Sequence, residues 1–265
     1  MKIGFIGAGK MGGAVLKGLI SSNFVEKENI TVSELNKDIA QQINDEFGVK
    51  TISDGNQLAK KSDVIIICTK PFVIKEVLKG IKDSLTKEKL LISIAAGVST
   101  KTIEDIIGEI PVVRVMPNTP AFLGHGMSGL SKGKYATSEQ LQFACDIFSK
   151  VGKTVTIEEN LIDALTGISG SGPAFFYLVI EALAKGGENL GLPFDIALEL
   201  AAQTAIGSAH MVMETNKTPQ VLRQEVTTPG GCTAVGLDVL EKAKAFEAFM
   251  ETVKATAKKA KELGD

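Results

Sequence analysis

The sequence predicts an α/β domain built on a parallel sheet over residues 1–158, followed by an all-helical domain over residues 159–265. Three observations predict it. Short β-branched runs alternate with helical patterns in the first part, the strand signal stops near residue 158, and the rest is helical and rich in small residues. A chain of 265 residues is long enough to divide this way.

The strand-like runs are Lys2 to Ile6, Ile30 to Ser33, Asp63 to Cys68, Leu90 to Ile94, Val112 to Met116 and Thr154 to Ile157. Their alternation with helical segments calls for crossover helices and hence parallel pairing. Val64-Ile65-Ile66-Ile67 is apolar at every position, as a central strand covered on both faces requires. Pro71 follows it, placed for the first turn of a helix running through Val77.

The first strand leads into Ile6-Gly7-Ala8-Gly9-Lys10-Met11-Gly12, and a helix from Met11 to Ser21 follows. A GxGxxG pattern alone is weak, but between a strand and a helix it is the dinucleotide-binding fingerprint. Gly7 makes the tight turn, Gly9 lets a pyrophosphate approach the backbone at the helix N-terminus, and Gly12 lets helix and strand touch. The domain therefore reads as Rossmann-type and NAD(P)-binding, with residues 6–12 at the cofactor.

The second strand ends in Val32-Ser33-Glu34-Leu35-Asn36-Lys37, at the distance from the glycines where the adenosine ribose is read. The signals conflict. A carboxylate at Glu34 would bond the ribose hydroxyls of NAD and repel a 2′-phosphate, whereas Ser33, Asn36 and Lys37 offer groups to hold that phosphate. Glu34 falls one residue past the strand-end serine, so its side chain is expected to point away, which turns the reading toward NADP(H), with NAD(H) the alternative.

Thr69-Lys70-Pro71, Ala95-Ala96-Gly97 and Met116-Pro117-Asn118-Thr119-Pro120 each follow a predicted strand. Any one of them is explained as well by Pro and Gly ending a strand. Three at the carboxyl ends of strands, where open α/β sheets bind ligands, point to a cofactor lining.

In the helical part, Leu161 to Leu190 carries a Gly170-Ser171-Gly172-Pro173 break, and Asp195 to Thr215 forms a second helix. A third starts with Thr218 as N-cap and Pro219 at the first position; others span about 234–242 and 244–262. The Asp195 helix has Ala or Gly on almost every side, which suits close helix packing and predicts a homodimer at least. Pro229-Gly230-Gly231-Cys232-Thr233 leads into the helix at Ala234, with Thr233 as the expected N-cap. Successive glycine amides at a helix start suit a small carboxylate, although a loop and cap without ligand explains the local sequence equally well.

Composition narrows the function. The 29 basic and 31 acidic residues give no electrostatic reason for nucleic acid or an anionic membrane. No uninterrupted apolar run reaches the roughly 18 residues of a membrane span, and the N-terminus enters a strand pattern at once, so no signal peptide is expected. Cys68, Cys145 and Cys232 are odd in number and widely spaced, which indicates neither disulfides nor a metal site and fits the cytoplasm. His125 and His210 are the only histidines, and neither belongs to a legible catalytic pair. Oxidation of a hydroxy acid normally needs a base. Reduction of a cyclic imine does not, because the protonated imine is already the electrophile.

With these elements in view, the chain resembles the pyrroline-5-carboxylate reductase family from end to end. The resemblance rests on Phe5-Ile6-Gly7-Ala8-Gly9, Lys70-Pro71, Ala95-Ala96-Gly97-Val98, Met116-Pro117-Asn118-Thr119-Pro120 and Ser169-Gly170-Ser171-Gly172-Pro173-Ala174. Its most specific part is Leu222-Arg223, then Val226-Thr227-Thr228-Pro229-Gly230-Gly231-Cys232-Thr233, Gly236-Leu237 and Leu240-Glu241. It implies hydride transfer from NADPH or NADH to (S)-1-pyrroline-5-carboxylate, giving L-proline, in dimers often assembled into decamers. It further implies that Thr233 hydrogen-bonds near the substrate ring nitrogen, while the Gly230-Gly231-Cys232 backbone and the Thr228 hydroxyl receive the carboxylate. Two positions depart from the pattern. Cys232 stands where the family usually has another small residue, and Gly55 replaces an asparagine at the cofactor ribose, leaving Asn56 as its substitute.

The nearest rival, a β-hydroxyacid dehydrogenase, places a catalytic lysine a few residues after a Gly-Ser-Gly entry. This chain has Phe175, Phe176 and Tyr177 there. A non-catalytic nucleotide sensor would keep Gly7, Gly9 and Gly12 without needing the Pro-Gly-Gly-Cys-Thr segment.

Overall fold

The computed structural model describes residues 1–263. Two compact units divide it: Met1–Ser171 together with the chain from Ala255 onward, and Gly172–Lys254.

In the first unit, Ile3–Ile6 (β1) leads to the helix Lys10–Ser21 (α1), Ile30–Ser33 (β2) to Lys37–Phe47 (α2), and Lys50–Ile52 (β3) to Gly55–Lys61 (α3). Val64–Ile67 (β4) leads through a 3₁₀ turn that starts at Pro71 to Ile74–Ile81 (α4), and Leu90–Ser93 (β5) leads to Thr100–Ile107 (α5). Val112–Met116 (β6) and Gly126–Lys132 (β7) precede Ser138–Phe148 (α6), and Gly152–Thr156 (β8) completes one eight-stranded sheet of order β3-β2-β1-β4-β5-β6-β7-β8. All neighbours pair in parallel except β6 and β7.

β3 and β7 lie outside the strand-like runs of the sequence. β3 is a three-residue edge strand, and Gly126-Met-Ser-Gly-Leu-Ser-Lys has little intrinsic β preference, so neighbours rather than propensity make it a strand. Gly129 illustrates this: an added Cβ would run into the Leu165 side chain, so only glycine admits that contact.

Covering helices explain why β4 is apolar throughout. Val64 and Ile66 belong to a core with Phe5, Val15, Leu19 and Phe148, whereas Ile65 and Ile67 belong to a second with Leu58, Leu78 and Ile103. Alternate residues point to opposite faces, so one strand supplies two cores. Each buried aliphatic side chain contributes about 1.5–3 kcal/mol. The helices start where side chains satisfy their first amides: Asn36 caps α2, Asp54 caps α3, Ser99 caps α5, and Thr137 with Gln140 forms a capping box on α6.

The first unit runs past the expected boundary at 158 because residues 159–170 pack on the sheet. Arg114, whose side chain is nearly buried on β6, reaches Glu159 at 3.2 Å and Asp163 at 4.0 Å. Glu159 also accepts bonds from the Thr100 amide and hydroxyl. After Ile162–Leu165 (α7) the chain makes a π-helical turn over Thr166–Gly170, closed by the Ser171 amide on the Thr166 carbonyl at 2.9 Å. The expected Gly-Ser-Gly-Pro break falls where this turn ends: Gly170 is its last residue, Ser171 follows, and Gly172 and Pro173 open the next helix.

The second unit begins with the long helices Gly172–Asn189 (α8) and Phe194–Glu214 (α9). They pack closely around small residues: Ala184, Ala197 and Ala201 are buried, and a Cβ on Gly187 would lie 3.2 Å from that of Ala197. Pro219–Glu225 (α10) starts at Thr218, whose hydroxyl accepts from the Val221 amide, and Cys232–Lys242 (α11) follows; Ala245–Glu262 (α12) begins in this unit, and its part from Ala255 onward belongs to the first. Far more of α9 is exposed than the sequence suggested, including Leu200, Ile206 and Met213; Phe176 and Leu183 are exposed on α8. By length and composition the helical stretch Glu159–Asn189 would suffice to cross a membrane. Along this stretch Gly, Ser and Pro at 170–173 interrupt the apolar residues, so no uninterrupted apolar run reaches that length.

Gly12 fixes how closely α1 seats on the sheet. A Cβ there would lie 3.0 Å from the Cys68 Cβ and 3.1 Å from the Gly7 carbonyl oxygen. We expect Gly12→Val to cost about 1–3 kcal/mol through overpacking, read as a lower urea midpoint; an unchanged midpoint would contradict this packing.

Candidate active site

The strand order reverses direction between β1 and β4, the switch point where open α/β sheets bind ligands. The ladder continues past the strand ends there: the Gly7 amide bonds the Ser33 carbonyl at 2.8 Å, and the Cys68 amide bonds that of Ile6 at 2.9 Å. Beyond these bonds opens a cavity of about 470 Å³ whose walls include Ile6, Gly7, Ser33, Glu34, Asn56 and Thr69. Five of the residues expected at the cofactor are thus brought together. Gly7 adopts φ +80°, the conformation that its turn requires and that favours glycine.

Two observations match this crevice to a dinucleotide. A Cβ on Gly9 would meet no atom within 4 Å, so the backbone at the start of α1 faces open space where a pyrophosphate can approach. The Thr69 hydroxyl is buried with no hydrogen-bond partner, a polar group that a ligand in the cavity can satisfy. Ala8, Gly9 and Lys10 border a neighbouring groove between α1 and α2. Lys70 and Pro71 follow β4, and Ala95, Ala96 and Gly97 follow β5, where Gly97 turns the chain at φ +76°.

Asn118 departs from the expected role. Its side chain is occupied within the protein: Oδ1 accepts from the Met127 amide at 2.8 Å, and Nδ2 donates to the Ser169 carbonyl at 3.0 Å. It holds the π-helical turn to the end of β6. Asn36 is likewise engaged, its Oδ1 accepting from the Asp38 and Ile39 amides. Asn56 Oδ1 accepts from the Ser84 hydroxyl, which leaves its amino group for the cavity. Sequence patterns name residue types but not their partners, and for Asn118 only the fold supplies them.

Glu34 also departs from expectation. It does not turn away: its carboxylate accepts from the Ala8 amide at 3.1 Å and from the Asn36 amide at 3.0 Å, which ties β2 to the glycine loop.

The Pro-Gly-Gly-Cys-Thr segment expected to receive a carboxylate lies in the second unit, and the structure corrects its details. The helix starts at Cys232 with Gly231 as N-cap, so Thr233 is the second helical residue and not the cap. The reason is the turn before it. Pro229 and Gly230, with φ +72° at Gly230, form a type II turn closed by the Gly231 amide on the Thr228 carbonyl at 2.9 Å. The turn delivers Gly231 in extended conformation directly into the helix. Consequently the Gly231 amide is spent, and the open donors are those of Cys232, Thr233 and Ala234, which no side chain caps. The helix dipole makes them attractive to a carboxylate. A Cβ on Gly231 would collide with the Thr228 hydroxyl, which places that hydroxyl beside the cradle.

Comparison with known proteins decides the family. The family model described as pyrroline-5-carboxylate reductase dimerisation matches residues 159–263, and that described as NADP oxidoreductase coenzyme F420-dependent matches residues 2–97. A pyrroline-5-carboxylate reductase of Methanosarcina acetivorans is 45% identical over 264 residues, covering 99% of this chain and 98% of the relative. This chain belongs to the pyrroline-5-carboxylate reductase family. The solved structure of a Coxiella burnetii pyrroline-5-carboxylate reductase superposes with a TM-score of 0.93 at 37% identity, covering 100% of this chain and 98% of that one. The Plasmodium falciparum pyrroline carboxylate reductase, solved with NADP bound, gives 0.91 at 35% identity with the same coverage. The dimerisation match also gives a use to the exposed apolar side chains of α8 and α9 and supports a homo-oligomer.

Two tests follow from this geometry. Gly9→Val adds bulk where the protein has none, at a φ of −59° that valine tolerates. We expect an unchanged melting temperature with dinucleotide affinity down roughly tenfold or more; equal affinity would show that the pyrophosphate does not pass there. Among the cysteines, Cys232 is exposed, while burial pushes the Cys68 and Cys145 thiols up. Iodoacetamide should therefore label Cys232 first, as read by peptide mass spectrometry. Label arriving equally fast at Cys145 would refute this order.

Proposed function

We propose that this enzyme reduces (S)-1-pyrroline-5-carboxylate to L-proline with a nicotinamide dinucleotide, and that α11 binds the substrate. The observation that carries the substrate assignment is the N-terminus of α11, where the type II turn leaves the Cys232, Thr233 and Ala234 amides open beside two threonines. Bound reduced nicotinamide supplies a hydride. The protein supplies the rest.

The cofactor is held by the glycine loop of residues 6–12, by Thr69 and Asn56 in the cavity, and by the loops through Lys70-Pro71 and Ala95-Ala96-Gly97. The substrate carboxylate takes the α11 amides, with Thr228 beside them, and this fixes the ring. The Thr233 hydroxyl hydrogen-bonds the ring nitrogen and holds it in register as its charge changes during reduction. No general base is required because the protonated imine accepts the hydride directly.

The reading extends to the assembly and its place. Dimers formed through the helical unit associate into a decamer, supported by the family resemblance. The enzyme works in the cytoplasm, supported by three free cysteines and by a charge balance near neutral.

The experiment is oxidation of reduced nicotinamide dinucleotide on addition of pyrroline-5-carboxylate, with proline identified as product. Absence of turnover with both NADH and NADPH would sink the assignment. Thr233→Ala removes one hydrogen bond to a charged partner, worth about 1.5–3 kcal/mol, so kcat/KM should fall roughly ten- to a hundredfold while nucleotide affinity stays unchanged. Wild-type efficiency in that variant would remove Thr233 from the mechanism.

A further inference from the structure

We propose that Glu34 sets the choice of dinucleotide and makes NADH, rather than NADPH, the preferred reductant of this enzyme. The inference rests on the dinucleotide reading of the crevice and reverses the preference expected from the sequence.

The first observation is the position of the Glu34 carboxylate. It is clamped by the Ala8 and Asn36 amides at the end of β2, on the wall of the cavity beside Gly7. In a Rossmann domain this is where the adenosine ribose lies. An ionised carboxylate only accepts hydrogen bonds, and two amide bonds leave it further lone pairs. Vicinal ribose hydroxyls are donors and suit it. A 2′-phosphate carries about −1.5 to −2 charges at neutral pH and has no proton to share with it.

The second observation is independent of Glu34. Among the described residues, the other charged ones on the cavity wall are Asp54 and Glu76, and no lysine or arginine lines it. Bringing a phosphate dianion into such a setting is repulsive, and the desolvation of a cleft strengthens the repulsion.

The third concerns the groups that would have to hold the phosphate. Of Ser33, Asn36 and Lys37, only Ser33 lines the cavity, and it is buried. The Asn36 oxygen caps α2, and Lys37 is exposed on the first turn of that helix. Lys10 borders the separate groove between α1 and α2. The NADP in the Plasmodium falciparum structure belongs to that protein, whereas the walls here are acidic.

A purely structural role for Glu34, fastening the glycine loop to β2, predicts something different. Its loss would then weaken both dinucleotides alike.

The test is direct binding of NADH and NADPH, followed by reduced-nicotinamide fluorescence, to the wild-type protein, to Glu34→Gln and to Glu34→Ser, with steady-state kinetics on pyrroline-5-carboxylate alongside. We expect the wild type to bind NADH on the order of tenfold more tightly than NADPH, the worth of a hydrogen bond to a charged group. In both variants NADH affinity should fall and NADPH affinity rise, so that the preference narrows or inverts. Tighter NADPH binding by the wild type, or equal losses for both nucleotides in the variants, would overturn the inference while leaving the reductase assignment intact. Failure of the wild type to bind either nucleotide would overturn both.

Discussion

The site depends on the close approach of α1 to the strands beneath it. Gly7 turns the chain out of β1 at positive φ, and Gly12 brings the first turn of α1 against Cys68 at the end of β4. A side chain at either glycine would meet neighbouring atoms, which would lift the helix from the sheet. Because β1 and β4 are neighbours at the point where the strand order reverses, that contact places the helix N-terminus at the mouth of the crevice. The double core beneath it, with alternate residues of β4 facing opposite ways, keeps the strands from shifting.

Two kinds of electrostatics are built from backbone and short polar side chains, with few charged groups. Before α11, a type II turn spends the Gly231 amide and leaves the Cys232, Thr233 and Ala234 amides without a side-chain cap, an arrangement suited to an anion. In the cavity beside Gly7 the charged wall residues are acidic, and Glu34 is held by main-chain amides. Among the described residues the one deeply buried cation, Arg114, does neither task; with Glu159 and Asp163 it fastens residues 159–163 to the sheet. A buried pair of this kind is weak evidence for stability in itself but fixes position, because breaking it leaves a charge without a partner.

The helical unit follows a different logic. Its helices are packed around alanines and a glycine, while large apolar side chains such as Phe176, Ile206 and Phe249 remain exposed. Small residues let helices approach and large ones extend outward, an arrangement that needs a second copy to exclude water. Membership in a family with a dimerisation region gives that surface its use.

The sequence by itself determined whatever depends on local pattern. The strand-glycine-helix order gave the Rossmann domain, the apolar run of β4 its central place, the Thr218-Pro219 pair a helix start, and the Pro-Gly-Gly segment a turn before a helix. Each is set by φ/ψ preference or periodicity within a few residues. Only the tertiary structure decided where side chains find partners far along the chain. It recruited β7 through neighbouring strands despite weak propensity, spent Asn118 on Ser169 and Met127, moved the start of α11 to Cys232, and turned Glu34 onto the Ala8 amide. A hydrogen bond between residues 26 or 51 positions apart leaves no periodic trace in sequence, because its geometry exists only once the sheet has brought the two strand ends together.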